Sequence, residues 1–324
     1  MALKLRSTVV LSICLALGGV ACAALAAPPG GGGGTPPPST TISKNNGVIL
    51  VNSNVFNVPM ISAISVLGTP LLQYDNPGAG LQMTARSSAG NAYNPTQAGD
   101  CAGNPSTLLS SDSNWTGSGT GLPAANGVLL TVAPRNYNEP SSCLGAGTVL
   151  PFQFDFGMTQ GDGLVLPKEG MYMDMTYTRL PGAEAIDKGQ SEMPAAFPLA
   201  DVLPLAYVSP DGVNFAPFAP TGTNDIRSWP LGVNYGAQGE VVAVCTPQLT
   251  MCMAIFSNKS EQILVSHRQG ASHNLAYMTL LAGSGSITDF APHHGKKLLA
   301  VGTLSTIAAV IATARFHIAD WGEL

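Results

Sequence analysis

The chain has 324 residues, of which only 10% are charged, and its formal net charge at pH 7 is −5. Nucleic acids and anionic membranes both require a basic face on a protein partner, so this composition argues against either as a ligand.

The N-terminus has the three-part layout of a secretory signal peptide. Lys4 and Arg6 precede an apolar run over residues 9–25, which ends in the small-residue triplet 24–26. A membrane anchor needs roughly 20 apolar residues, and this run is shorter. We therefore expect cleavage before Ala27 and an exported protein, periplasmic or extracellular, with no membrane span in the mature chain.

Cys22 leaves a lipoprotein as the alternative form of export. It follows two small or aliphatic residues, although Gly19 stands where a large aliphatic residue would be expected.

Residues 27–45 have the composition of a linker, with five consecutive glycines at 30–34 followed by a proline run. Such a segment cannot bury apolar surface and should behave as a solvated tether. We expect the remainder, residues 46–324, to form a single domain, because all-β domains of about this size are often single units.

Two of the six cysteines lie in the signal peptide, so four remain in the exported chain. Four thiols in an oxidising compartment indicate two disulfides, for which three pairings are possible. We favour Cys101 with Cys143 and Cys245 with Cys252, since the second pair brackets the short segment 246–251, the reach of a hairpin end. No CxxC pair or Cys/His cluster occurs, and we expect no metal and no other cofactor.

Two segments alternate apolar and polar residues with the period of a β-strand. Residues 152–157 place phenylalanine at every second position, with Asp155 among the polar residues between them. Residues 171–178 place methionine or tyrosine at every second position, with Asp174 and Thr176 between them. One face would be apolar and the other polar enough to line a cleft. This pattern suits an antiparallel sandwich.

Further short apolar segments separated by turn residues are predicted strands. They are 47–51, 81–86, 128–132, 203–208, 240–245, 251–256, 262–266, 275–281 and 297–302. Asp211 and Gly212 form a hairpin turn signal. Residues 305–316 read as a short helix with Ser305 or Thr306 as its N-cap. The predicted fold class is all-β, a large antiparallel β-sandwich with a short C-terminal helix.

The densest polar stretch, residues 73–100, is a candidate binding loop. Four of its side chains are not needed to make turns and could contact a polar ligand such as a saccharide: Gln82, Arg86, Tyr93 and Gln97. Three more fit either that role or Asx turns that bond their own backbone: Asp75, Asn76 and Asn94.

Glu192 is the best candidate for a general acid or base. It lies in the segment 190–198, which we expect to be a rigid and mostly apolar loop, where burial would raise the pKa of the carboxyl group toward a range useful for proton transfer. The alternative is an exposed glutamate, or one paired with Arg227 or Lys188.

Histidines give a weaker signal. His267 and His273 could meet across a tight loop as metal ligands or as a base and its helper, or they could be structural, and no metal-binding spacing supports the first option. The adjacent His293 and His294 resemble an exposed loop. No nucleophile elbow or phosphate-binding loop occurs.

Five short segments together carry a resemblance to a known group of proteins: 75–82, 93–100, 192–195, 228–230 and 298–302. They resemble secreted bacterial β-sandwich proteins related to galactose mutarotase and to polysaccharide-active enzymes. The resemblance implies a concave sheet face that holds a saccharide. Trp229 would offer it a stacking ring, unless that ring is part of the core.

The function expected from these features is a secreted protein that binds or acts on a poly- or oligosaccharide, as a lyase, hydrolase or epimerase if it is catalytic. Glu192 would donate or accept a proton, Arg86 would neutralise a uronate or a developing negative charge, and Tyr93 would lie beside them. The expected ligand contacts are Asp75, Asn76, Gln82, Asn94, Gln97, Trp229 and His267. The alternative is a non-catalytic cell-envelope protein that is tethered by its linker and binds other proteins.

Overall fold

The computed structural model describes most of the chain after residue 40. The described residues are 41–54, 61–73, 82–87, 92–94, 106–117, 120–136, 152–198, 205–218, 226–230, 241–246, 248–256, 262–269, 273–282 and 287–317. Antiparallel β-sheet dominates them, and one short helix follows the last strand. The predicted fold class, an all-β antiparallel sandwich with a short C-terminal helix, is confirmed.

The first four strands form a small sheet in the order β1-β2-β3-β4. They are β1 (Thr41–Asn45), β2 (Ile49–Asn54), β3 (Ile61–Val66) and β4 (Thr69–Gln73). Their alternate apolar residues, such as Ile49 and Ile64, are fully buried in the main core.

Strand β1 corrects the predicted end of the linker. The segment Thr41–Asn45 pairs with β2 along its whole length, and Ile42 packs against the core. A strand with one apolar residue facing the core gains enough from burial and pairing to be ordered, although its composition is polar.

The large sheet has 15 strands in the order β13-β12-β15-β16-β19-β10-β9-β8-β6-β5-β11-β18-β17-β14, with β7 also paired to β8. We divide this order between β8 and β6. The half that ends with β8 contains β7 (Ser106–Asp112), β8 (Gly127–Asn136), β9 (Phe152–Gln160), β10 (Gly170–Arg179), β12 (Leu205–Ser209), β13 (Ala216–Phe218), β15 (Val241–Cys245), β16 (Cys252–Phe256) and β19 (His293–Gly302). The other half contains β5 (Gln82–Ser87), β6 (Ala92–Asn94), β11 (Ile186–Pro198), β14 (Ile226–Pro230), β17 (Gln262–Gln269) and β18 (His273–Ala282).

Alternate side chains of β9 and β10 define the two faces of the large sheet. Phe154 and Phe156 on β9 and Met173 and Met175 on β10 are buried on what we call the first face, where they join the core residues of the small sheet. The alternation predicted for both segments is therefore confirmed on its apolar side.

The opposite face, which we call the second face, is only partly polar, and this corrects the expectation of an open cleft along β10. Tyr172 is fully buried there, in a second apolar cluster with Leu166 and Leu298. The C-terminal helix α1 (Leu304–His317) covers this part of the second face with Ile307 and Val310.

Helix α1 begins one residue earlier than predicted, and its N-cap is Thr303. The Thr306 backbone N–H donates to Thr303 Oγ1 at 3.2 Å, the bond that an N-cap hydroxyl makes. The prediction of Ser305 or Thr306 as N-cap is therefore wrong. Within the described residues, no helix is long and apolar enough to cross a membrane.

The hairpin predicted at Asp211 and Gly212 is present between β12 and β13. The backbone N–H groups of Asn214 and Val213 each donate to Asp211 Oδ1 at 2.8 Å. The Asn214 side chain and the Ser209 hydroxyl also donate to this carboxylate. Together these hydrogen bonds hold the pKa of Asp211 well below its ordinary value.

Cys245 and Cys252 form a disulfide between paired strands β15 and β16, and each is fully buried. The predicted pairing of these two cysteines is confirmed. Cys101 and Cys143 lie outside the described residues.

Replacement of Cys245 and Cys252 together by alanine should lower the free energy of unfolding by about 2 kcal/mol, because a cross-link over a sequence separation of 7 closes only a short loop. Urea unfolding of the oxidised wild-type and variant proteins measures the difference. A variant as stable as the wild type would show that the cross-link adds nothing to the β15–β16 hairpin.

Candidate functional site

Four polar residues form a row across four neighbouring strands on the second face. Thr131 on β8 lies opposite Asp155 on β9, Asp155 lies opposite Thr176 on β10, and Thr176 lies opposite His294 on β19. Neighbouring strands are about 4.8 Å apart, so the row is about 14 Å long. We call these four residues the polar row.

His294 forms the exposed end of the polar row. Its Nδ1 lies 3.1 Å from both carboxylate oxygens of Asp174 and 3.0 Å from Thr176 Oγ1. The Asp174 side chain is 8% exposed, whereas that of His294 is 46% exposed. An ionised carboxylate only accepts hydrogen bonds, so this pairing places the proton of the neutral ring on Nδ1 and leaves Nε2 as an acceptor.

Asp155 organises the other end of the polar row. Its carboxylate accepts a hydrogen bond from Thr131 Oγ1 at 2.6 Å and two from Gln153 Nε2 at 3.1 and 3.2 Å. Asp155, Thr131 and Gln153 are all half-buried, so the carboxylate is held in place and is still partly open to solvent.

The indole of Trp115 borders the polar row. A methyl group added at Gly157, next to Asp155 on the same face of β9, would lie 2.7 Å from the Trp115 ring. Added at Gly127, it would overlap the Trp115 carbonyl oxygen. The ring also stacks on Tyr172, with centroids 6.3 Å apart and an interplanar angle of 20°. Two glycines and a buried tyrosine therefore seat this half-buried tryptophan against the sheet.

A loop at the start of β19 is held by hydrogen bonds and a cation–π contact of its own. His293 Nε2 lies 2.8 Å from Asp289 Oδ1, and this contact lowers the pKa of Asp289. Arg179 bonds the carbonyl oxygen of Thr288, and its guanidinium lies 4.9 Å from the centre of the Phe290 ring. His293 and His294 are therefore both strand residues with aspartate partners, and the predicted exposed loop at these positions is wrong.

No protein-family model and no curated protein sequence matches this chain. Solved structures do match its fold. Slr1438 protein from Synechocystis sp. PCC 6803 is 9% identical, with a TM-score of 0.51 over 84% of this chain and 99% of that one. A galactose mutarotase related enzyme from Lactobacillus acidophilus is 8% identical, with a TM-score of 0.52 over 82% of this chain and 98% of that one. The fold is galactose mutarotase-like. At identities this low, the structural similarity establishes the fold alone, and any activity has to be argued from the residues of this chain.

In this galactose mutarotase-like fold, the candidate residues predicted from the sequence lie mainly in the other half of the large sheet. Gln82 on β5 pairs with Glu192 on β11, and Arg86 pairs with Lys188, four residues along both strands. Since positions two apart in a strand share a face, Gln82, Arg86 and Glu192 occupy one face of the sheet by register. Glu192 lies within a 13-residue strand, so the predicted loop is wrong.

Tyr93 lies on the opposite face from Arg86, because it pairs with Ala85. The tyrosine is 6% exposed, its ring packs edge-on against Phe152 at 4.4 Å, and its hydroxyl donates to Glu184 Oε1 at 2.9 Å. The sheet therefore brings Tyr93 into the core and separates it from Arg86 and Glu192.

The remaining predicted contacts are scattered. Asn94 pairs with Arg135, and Trp229 pairs with Ile263 near the edge of the sheet. His267 pairs with Ala276 on β18, whereas His273 on that strand pairs with Pro198 on β11. The two histidines are thus not cross-strand neighbours. Asp75, Asn76 and Gln97 lie outside the described residues.

Sequence reasoning identified part of the polar row and missed the rest. The alternation of β9 and β10 marked Asp155, Asp174 and Thr176 as members of a polar face. His294 was missed because a His-His-Gly sequence resembles a loop, although β19 begins at His293. Trp115 had no local signal, since its position depends on glycines that are distant in sequence.

Replacement of Gly157 by alanine should destabilise the protein by about 1–3 kcal/mol, because the added methyl group displaces the Trp115 ring. In a Trp115→Ala background the same substitution should cost much less. Urea unfolding of the four proteins in this double-mutant cycle isolates the contact from the strand propensity of alanine. An equal cost in both backgrounds would show that the ring does not rest on Gly157.

Proposed function

We propose that this is an exported protein that binds a poly- or oligosaccharide on the second face of its large sheet. The observation that carries the proposal is the polar row with Trp115 at its border. A pyranose has hydroxyl groups at its edge and an apolar C–H surface, so planar acceptors beside an aromatic ring match both.

The fold supports a saccharide as the ligand class. The Lactobacillus acidophilus neighbour, nearly all of which this chain covers, is described as a galactose mutarotase related enzyme. Since one fold hosts many functions, the fold raises the expectation, and the chemistry of the polar row supplies the argument.

Export is supported by the N-terminal signal layout and by the disulfide between Cys245 and Cys252. Structural disulfides persist in oxidising compartments and are rare in reducing ones. The proposed arrangement is a signal peptide over residues 1–26, a tether that ends before β1, and one β-sandwich domain.

The pair formed by β5 and β11 is the proposed place for catalysis. Glu192 would transfer a proton, Gln82 opposite it would bond a sugar hydroxyl, and Arg86 would neutralise negative charge. Register alone supports this set, because paired positions in adjacent antiparallel strands lie within about 5 Å of each other.

Oligosaccharides that bind the polar row should raise the melting temperature of the mature protein. At a ligand concentration of about 100 times Kd, binding adds about 2.7 kcal/mol to the free energy of unfolding. Thermal shifts with neutral, amino and acidic oligosaccharides test this. His294→Ala should abolish the shift because it removes the exposed acceptor. Glu169→Gln, directly before β10 and about 23 Å along that strand from Thr176 of the polar row, is the control that should retain it.

No shift with any oligosaccharide would remove the proposal and favour the envelope protein that binds other proteins. A shift that His294→Ala leaves unchanged would place the saccharide elsewhere.

If the protein is an enzyme, Glu192→Gln should abolish turnover of its polysaccharide and leave the melting temperature nearly unchanged, because the amide keeps the shape of the carboxylate and cannot transfer its proton. Ultraviolet absorbance of unsaturated products and new reducing ends, followed over a polysaccharide panel, measure turnover. Glu169→Gln again serves as the matched control. Full activity in Glu192→Gln would remove this assignment.

A further inference from the structure

Four side-chain donors at the polar row are directed at the carboxylates of Asp155 and Asp174. Thr131 Oγ1 and Gln153 Nε2 both donate to the Asp155 carboxylate. Thr176 Oγ1 and His294 Nδ1 lie within 3.2 Å of the Asp174 carboxylate and 3.0 Å of each other. These donors are therefore committed before any ligand arrives.

Three groups beside these donors are acceptors that a ligand can use. His294 Nε2 has no hydrogen-bond partner in the described part of the chain, and its ring is nearly half exposed. The Asp155 carboxylate has about four lone-pair sites, of which its recorded bonds use three, and Gln153 retains its carbonyl oxygen. A ligand that binds here must supply the donors itself.

The charge around Asp155 favours a cation. The ionisable groups of the site are Asp155, Asp174, His294 and Lys296. Lys296 lies opposite Asp174 in the ladder, on the same face, so its positive charge offsets that carboxylate. The side chains that donate to Asp155 are neutral and leave its charge uncompensated. Asp155 is the more accessible carboxylate, and the indole of Trp115, which also attracts cations, lies beside it.

We propose, on the basis of the saccharide site proposed above, that the polar row selects amino sugars over neutral and acidic ones. The protonated amine pairs with the Asp155 carboxylate, and the sugar ring lies against Trp115. A hydroxyl on the far side of that sugar or on the next sugar of the chain donates to His294 Nε2, two strands away. A neutral sugar keeps the hydroxyl bonds and lacks the ion pair. A uronate brings a carboxylate close to Asp155 and supplies one donor fewer.

Three oligomers of equal length test the proposal by calorimetry on the mature protein: a glucosamine tetramer, an N-acetylglucosamine tetramer and a galacturonate tetramer. At a pH where the amine is protonated, the glucosamine tetramer should bind at least tenfold more tightly than the acetylated one, and the galacturonate tetramer should bind most weakly. Added salt should reduce the advantage of the glucosamine tetramer, because a half-exposed ion pair is screened.

Asp155→Asn should reduce the preference of the glucosamine tetramer over the acetylated one to about onefold and leave affinity for the acetylated tetramer nearly unchanged. Glu169→Gln removes a carboxylate away from the row and should keep the tenfold ratio. The wild-type ratio alone decides the selectivity if Asp155→Asn does not fold.

Each outcome bears on a different claim. Equal binding of the glucosamine and N-acetylglucosamine tetramers, or tightest binding of the galacturonate tetramer, overturns the amino-sugar selectivity and leaves the saccharide site in place. A preference that persists in Asp155→Asn overturns the role of Asp155. Failure of every oligosaccharide to bind overturns both proposals together.

Discussion

The antiparallel register of β9 against β10 is the constraint on which the rest of the structure depends. Because side chains alternate between the faces of a strand, burying Phe154 and Phe156 on the first face puts Asp155 and Gly157 on the second. The same register places Asp174 and Thr176 beside them. A slip of one residue would move the aromatic residues to the second face and the aspartates into the core, so core packing enforces the position of the polar row.

The second face is divided by its packing into a covered part and a polar part. Tyr172 is covered by the cluster to which helix α1 contributes, and Trp115 rests against Tyr172 at the boundary between the two. Beyond that boundary the paired strands carry carboxylates whose partners are their own neighbours in the sheet. Buried and half-buried polar groups need such partners, and here the need is met within the row, which leaves acceptors toward solvent.

The galactose mutarotase-like fold and the residues of this chain contribute different information. The fold accounts for a large sheet with one face available beyond the core. The site chemistry differs between the two halves of that sheet: amide, guanidinium and carboxylate positions are paired by register on β5 and β11, and an imidazole-carboxylate pair lies on β10 and β19. Function on such a scaffold depends on which of these groups a ligand contacts.

The sequence by itself determined the fold class, most strands and the polar character of Asp174 and Thr176, because these follow from local periodicity and turn chemistry. It also favoured the disulfide between Cys245 and Cys252 among three possible pairings, because only a short segment separates the two cysteines. Only the tertiary structure decided that Tyr93 enters the core and that Trp115 borders the polar row. It also decided that His294 meets Asp174, 120 residues away in sequence. Such contacts join strands distant in sequence, and their pairing depends on which faces pack together, which no local pattern encodes.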